Sequence, residues 1–196
     1  MFANLTLFAL TFSLVLSAQS DDGKKLVTLR DFSVPGSRFS TVSIVRLAGL
    51  HTGKQVNFLL LNDALQKVVS SGLIENIDFE YENYEDKPEE VKLLMKCRDA
   101  MPIVPSRVVI DGADEEAIWK WLQNVDPLFT RELPPNEKAL RLYENWIGKY
   151  LEANGQPDFA QTAVIRAETE GPAGNVQRVV FKRVTLRNAT GKKPKR

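Results

Sequence analysis

Residues 75–83 (ENIDFEYEN) alternate without a break. Ile77, Phe79 and Tyr81 share one parity; Asp78, Glu80 and Glu82 share the other. Strand side chains point to opposite faces in turn, so this pattern predicts a strand with one covered and one wetted face. Just upstream, Leu61, Leu65, Val68 and Val69 recur at helical spacing, and Ser71-Gly72 follows. That spacing predicts an amphipathic helix opened by Asn57 or Asn62 and stopped by a left-handed glycine. Val91–Asp99 alternates again, with Val91, Leu93, Met95 and Cys97 on one face. Two strands so close in sequence pair most economically as a hairpin.

The elements before this stretch extend the pattern. Leu26–Val34 has β-propensity and partial alternation, and Pro35-Gly36 ends it. Ser40 can cap a short helix whose core contacts would be Val42, Val45 and Leu47. The polar turn His51-Thr52-Gly53-Lys54 separates it from the second helix. The order is strand, helix, helix, strand, strand.

That order then recurs. Pro105–Gly112 is strand-like, and Asp114 can cap a helix with Ile118, Trp121, Leu122 and Val125 on one face. The segment PLFTRELPPNE interrupts. Asn136 then opens a long helix burying Leu140, Tyr143, Ile147, Tyr150 and Leu151, up to Asn154-Gly155. Strands follow at Phe159–Glu168 and Val176–Leu186, around the turn EGPAGN. The expected fold class is α+β: two tandem β-α-α-β-β units, each a three-stranded mixed sheet with two helices on one face. The expected limits are residues 21–104 and 105–187.

The ends of the chain read differently. Leu5–Leu16 is almost wholly apolar and leads into SAQS, where Ala18 and Ser20 suit a cleavage site before Asp21-Asp22. The run is too short to span a bilayer, so residues 1–20 are expected to be a secretory signal peptide. An uncleaved anchor is the alternative. Residues 188–196 are expected to be a disordered basic tail, with Lys192, Lys193, Lys195 and Arg196 able to touch anionic lipid weakly.

Composition excludes more than it suggests. With 43% apolar and 26% charged residues the chain is expected to fold, and a net charge of +1 gives no reason to expect nucleic acid. A single cysteine, Cys97, allows no internal disulfide, and its place in an apolar alternation makes it a small core residue. One histidine, His51, and one cysteine make no zinc set. GLHTGKQ is one residue short of a phosphate loop, and Gln55 stands where the magnesium-binding hydroxyl belongs. The carboxylates of YENYEDKPEE lack the spacing of a calcium loop. No catalytic residue, metal or cofactor is expected. Trp119 and Trp146 fall off the main helical stripes and make a candidate exposed aromatic patch.

Taken as a set, several of these residues resemble the POTRA (polypeptide-transport-associated) domain. They are Gly36, Phe39, GLHTGKQVN, LNDALQKVVSSGLIENIDFEYE, and VKLLMKCRDAMPIVPSRVVIDG, which hands over to the next repeat. The likeness is closest over residues 26–112. The second unit is a divergent copy: it keeps Gly112 and LEANG, but PLFTRELPPNE replaces the Thr-Gly turn. The resemblance implies that the strand after each second helix lies at a sheet edge and accepts a strand from a partner. The implied partner-binding residues are Asp78, Phe79, Glu80, Tyr81 and Glu82 in the first unit, and Thr162, Val164 and Arg166 in the second. It further implies a non-catalytic periplasmic scaffold whose partner is an outer-membrane β-barrel protein or an unfolded client. Family members usually continue into a barrel, whereas this sequence stops after the second repeat. Two rival expectations are an anchored envelope or cell-division scaffold, and a periplasmic enzyme or small-ligand binder using the aromatic second unit.

Overall fold

A computed structural model describes residues 25–154, 163–172 and 175–186. In the first unit β1 is Val27–Ser33, α1 Thr41–Leu47, β2 Gln55–Val56, α2 Phe58–Ser70, β3 Ile74–Asn83 and β4 Glu90–Asp99. The second unit repeats the order with β5 Val104–Val109, α3 Glu115–Val125, β6 Glu132–Leu133, α4 Glu137–Ala153, β7 Ala163–Glu170 and β8 Arg178–Thr185. The expected signal segment, the basic tail, Thr162 and the start of the seventh strand lie outside the described residues.

Both sheets are mixed, since β1 runs parallel to β4 and β5 to β8, while the two hairpins are antiparallel. Their strand orders are β2-β1-β4-β3 and β6-β5-β8-β7. Each sheet thus has four strands where three were expected. The fourth is two residues long and comes from the link between the helices. In the first unit Val56 lies opposite Val27, and the Leu29 amide donates to the Lys54 carbonyl at 2.9 Å. In the second, Leu133 lies opposite Val104, and the Ser106 amide donates to the Arg131 carbonyl at 2.7 Å. PLFTRELPPNE, read only as a helix breaker, makes the same stitch as the turn it replaces. Two residues carry no periodicity, so the pattern was blind to them.

The caps follow the sequence. Ser40, Asn57, Asp114 and Asn136 each accept a backbone N–H of their own helix's first turn. The face of α1 is corrected: Ile44 is the fully buried residue, and Val42 is exposed. A seven-residue helix spans about two turns, too few for periodicity to fix its inward face. Trp119 is corrected as well. It is 2% exposed and stacks on Phe129 with ring centroids 5.4 Å apart. The link after α3 lays Leu128, Phe129 and Leu133 into the core and so covers a side of the helix that the stripe left outside.

The two units share one continuous apolar interior. Gly72 ends α2 at φ +73° and meets the start of α4. Asn136 caps α4 by accepting from the Ala139 amide at 2.9 Å, and its side-chain NH2 donates to the Gly72 carbonyl at 2.8 Å. A Cβ on Gly72 would lie 2.5 Å from the Ala139 nitrogen. The glycine therefore serves both the left-handed turn and the close approach of the second unit.

Candidate functional site

β3 and β7 are the outer strands of their sheets, as the resemblance implied. What each edge offers follows from the hydrogen-bond alternation of an antiparallel pair, in which every second residue turns its N–H and C=O outward. Beyond β3 the Tyr84 amide donates to the Glu90 carbonyl. Carried back along the register Tyr81↔Leu93 and Phe79↔Met95, this turns the main-chain groups of Ile77, Phe79, Tyr81 and Asn83 away from β4. Among the described residues none of these outward groups has a partner. Asp78, Glu80 and Glu82, also expected as partner-binding, spend their main-chain bonds on β4 and offer their side chains instead.

The side chains beside this edge are aromatic on one face and acidic on the other. Ile77, Phe79 and Tyr81 pack against the core from a half-buried position, and Asp78, Glu80 and Glu82 are exposed. Phe58, at the first turn of α2, approaches Phe79 at 5.6 Å between ring centroids, and Phe79 approaches Tyr81 at 5.8 Å. Phe58, Leu59 and Leu60 are all more than half exposed. The Tyr81 hydroxyl is buried without a hydrogen-bond partner among the described residues, and burial raises its pKa. On the wetted face Glu82 pairs with Lys92 at 2.9 Å, and Glu80 with Lys96 at 2.6 Å. Among the described residues Asp78 accepts only from the Asn76 side-chain NH2 at 3.2 Å.

The second edge is partly capped. The Ala167 amide donates outward to Glu144 of α4 at 2.8 Å, and the other oxygen of that carboxylate holds Arg166 at 3.3 Å. By the same alternation the outward groups belong to Ala163, Ile165, Ala167 and Thr169, while Val164 and Arg166 bond to β8. The groove between α4 and β7 holds about 400 Å³ and is lined by charged residues such as Arg141, Glu144, Lys149 and Arg166. Sequence reasoning missed Phe58 and Glu144. Both sit on helices, and only the packing of α2 on β3 and α4 on β7 brings them to the edges.

The other candidates resolve quietly. Trp146 is half-buried, 5.7 Å from Trp121 and under the Lys149 ammonium, and Tyr150 lies 5.6 Å from Trp121. The partly covered aromatic group is thus Trp121, Trp146 and Tyr150, without Trp119. Lys54 donates to the Gly49 carbonyl at 2.6 Å and closes its own turn. The Cys97 thiol is half-buried, and burial pushes its pKa up to about 11, so it stays protonated at neutral pH. Among the described residues no cluster of His, Cys, Asp and Glu has the makings of a metal site. No described helix is long and apolar enough to cross a membrane.

No family model and no curated protein matches this sequence. Solved structures similar to it include the N-terminal domain of Omp85 from the thermophilic cyanobacterium Thermosynechococcus elongatus. That one is 13% identical with TM-score 0.39, and the match covers 81% of this chain and 63% of that one. This chain therefore spans less than two thirds of that structure's length. POTRA1-2 of the periplasmic domain of Omp85 from Anabaena is 12% identical with TM-score 0.38, over 81% of this chain and 95% of that one. Haemophilus influenzae BamA POTRA3-5 is 12% identical with TM-score 0.38, over 83% and 66%. What this sequence builds is two tandem β-α-α-β-β units, similar to POTRA domains, with one open sheet edge and one capped edge.

Proposed function

We propose that the chain is a non-catalytic, exported scaffold that holds another polypeptide by adding it as a strand to β3. The observation that carries this reading is the run of outward, unpartnered main-chain groups at Ile77, Phe79, Tyr81 and Asn83. An added strand satisfies them with main-chain bonds and so accepts many sequences. The setting, outer-membrane protein assembly or secretion in the periplasm, follows the family likeness of residues 26–112. The partner is then an outer-membrane barrel protein or its unfolded chain. The basic tail adds weak contact with anionic lipid. β7 is the lesser edge, because Glu144 already occupies its Ala167 amide. A small-ligand reading has less support. The apolar crevice beside Trp146 holds about 180 Å³, below the roughly 300 Å³ at which ligand pockets begin. The larger groove between α4 and β7 is lined largely by charged residues rather than by apolar walls.

The test is co-purification of the tagged chain from detergent-solubilised envelopes of its own host, beside a Phe79→Pro variant. Proline removes an outward donor and leaves the ladder to β4 intact. A barrel protein retained by the native chain and lost from a variant with native circular dichroism supports the reading. Equal retention by both moves binding away from β3.

A further inference from the structure

Resting on the β3 docking reading, we propose that the segment this edge prefers alternates apolar with basic residues. An added strand would lie about 4.8 Å from β3 on its open side, with cross-strand side chains about 5 Å apart. Its wetted side chains would therefore stand beside Asp78, Glu80 and Glu82. These three carboxylates occupy successive positions of one face, and among the described residues cations reach them only from β4: Lys96 on Glu80, Lys92 on Glu82, and none on Asp78. Both ion pairs are exposed, so they leave the carboxylates largely hydrated and open to a second cation. An acidic segment would place like charges directly opposite, which destabilises a sheet.

The other parity of the segment meets a different surface. It would extend the aromatic row of Phe79 and Tyr81 and cover Phe58, which is 51% exposed. The chemistry of the edge is thus two-sided: apolar towards α2, anionic towards solvent. β7 offers no counterpart, since Arg166, Glu168 and Glu170 mix both signs on its wetted face.

Two fluorescent peptides decide the matter, identical at their apolar positions and carrying either three lysines or three glutamates between them. Anisotropy titrations with the full chain should show the lysine peptide binding about tenfold tighter at low salt, as three favourable cross-strand pairs imply. The ratio should shrink towards one at high salt. It should also vanish in the triple variant Asp78→Asn, Glu80→Gln, Glu82→Gln. On the native chain, hydrogen exchange of the Ile77, Phe79 and Tyr81 amides should slow when the lysine peptide is bound. A ratio of one on the native chain, with those amides still protected, overturns the charge preference and leaves β3 docking intact. A ratio that survives the triple variant also overturns it, because the preference then arises on another surface. Binding without protection of these amides, or no binding by either peptide, overturns β3 docking and the preference together.

Discussion

β3 and β7 hold the same place in two sheets of the same strand order, yet they present opposite surfaces. At β3 the outward amides have no partner among the described residues and are flanked by half-exposed aromatic rings. At β7 one outward amide is bound by Glu144, and the groove beside it is charged. Unpaired edges invite other chains, and proteins blunt the ones they do not use. The second unit follows that practice with a single carboxylate from α4. The interiors differ in the same direction. The first core is mostly aliphatic, whereas the second stacks Trp119, Phe129 and Tyr143 and buries Asp126 against the Tyr143 hydroxyl at 2.7 Å. The comparison teaches that a repeated topology need not repeat a function, because edge chemistry depends on side chains that the topology leaves free. The first unit leaves its β3 edge uncapped among the described residues, and the second caps one amide of its own edge.

The contact of Gly72 with α4 is the most exposed part of this contrast. Gly72→Ala puts a methyl against the backbone of α4 and forces a non-glycine residue to φ +73°. It should cost about 3 kcal/mol, the sum of overpacking and left-handed strain. Chemical denaturation checks this, and a loss below 1 kcal/mol would mean the units are not braced through this contact.

Tyr143→Phe should cost about 2 kcal/mol at neutral pH, since it leaves the buried Asp126 carboxylate short of a donor. The difference depends on pH in a defined sense. Burial, and then the nearby Asp126 charge, hold the Tyr143 phenol protonated well above its ordinary value. In the unfolded chain that phenol ionises near pH 10. Its contribution to stability is therefore complete below about pH 10 and declines as pH rises further. The gap between wild type and variant should narrow from pH 9 to pH 11 in urea titrations.

Glu144→Ala uncaps β7 and should cost about 1 kcal/mol, with faster hydrogen exchange at Ala167. It should also give the second edge a measurable affinity for added strands. An unchanged Ala167 exchange rate would show that the cap does not close the edge. The smallest effect is expected at Tyr81→Phe, which removes a hydroxyl without a protein partner and should change stability by less than about 0.5 kcal/mol.

Much of this was legible in the residues. The alternation of residues 75–83 and 91–99 fixed two strands and their faces, and Ser40, Asp114 and Asn136 marked three helix starts, because cap and period are local physics. For α2 the sequence left Asn57 and Asn62 open, and the structure takes Asn57. Ser71-Gly72 was legible as a helix stop, but nothing in it told of the second unit pressing against the glycine. Val42 was misplaced because α1 is too short to show a stripe. Trp119 was misplaced because its cover comes from a link, not from a facing helix.

The sequence by itself determined the long strands, which of their faces are wet, and the order in which the elements recur, but not the two-residue strands β2 and β6. Those properties depend on neighbours a few residues apart. Whether an edge is open was decided elsewhere, by Glu144 meeting Ala167 across 23 residues and by Phe58 meeting Phe79 across the helix it begins. A backbone amide carries no mark in the sequence of whether it is occupied. Only the packing of helix on sheet decides whether a side chain reaches it, as Glu144 reaches the Ala167 amide.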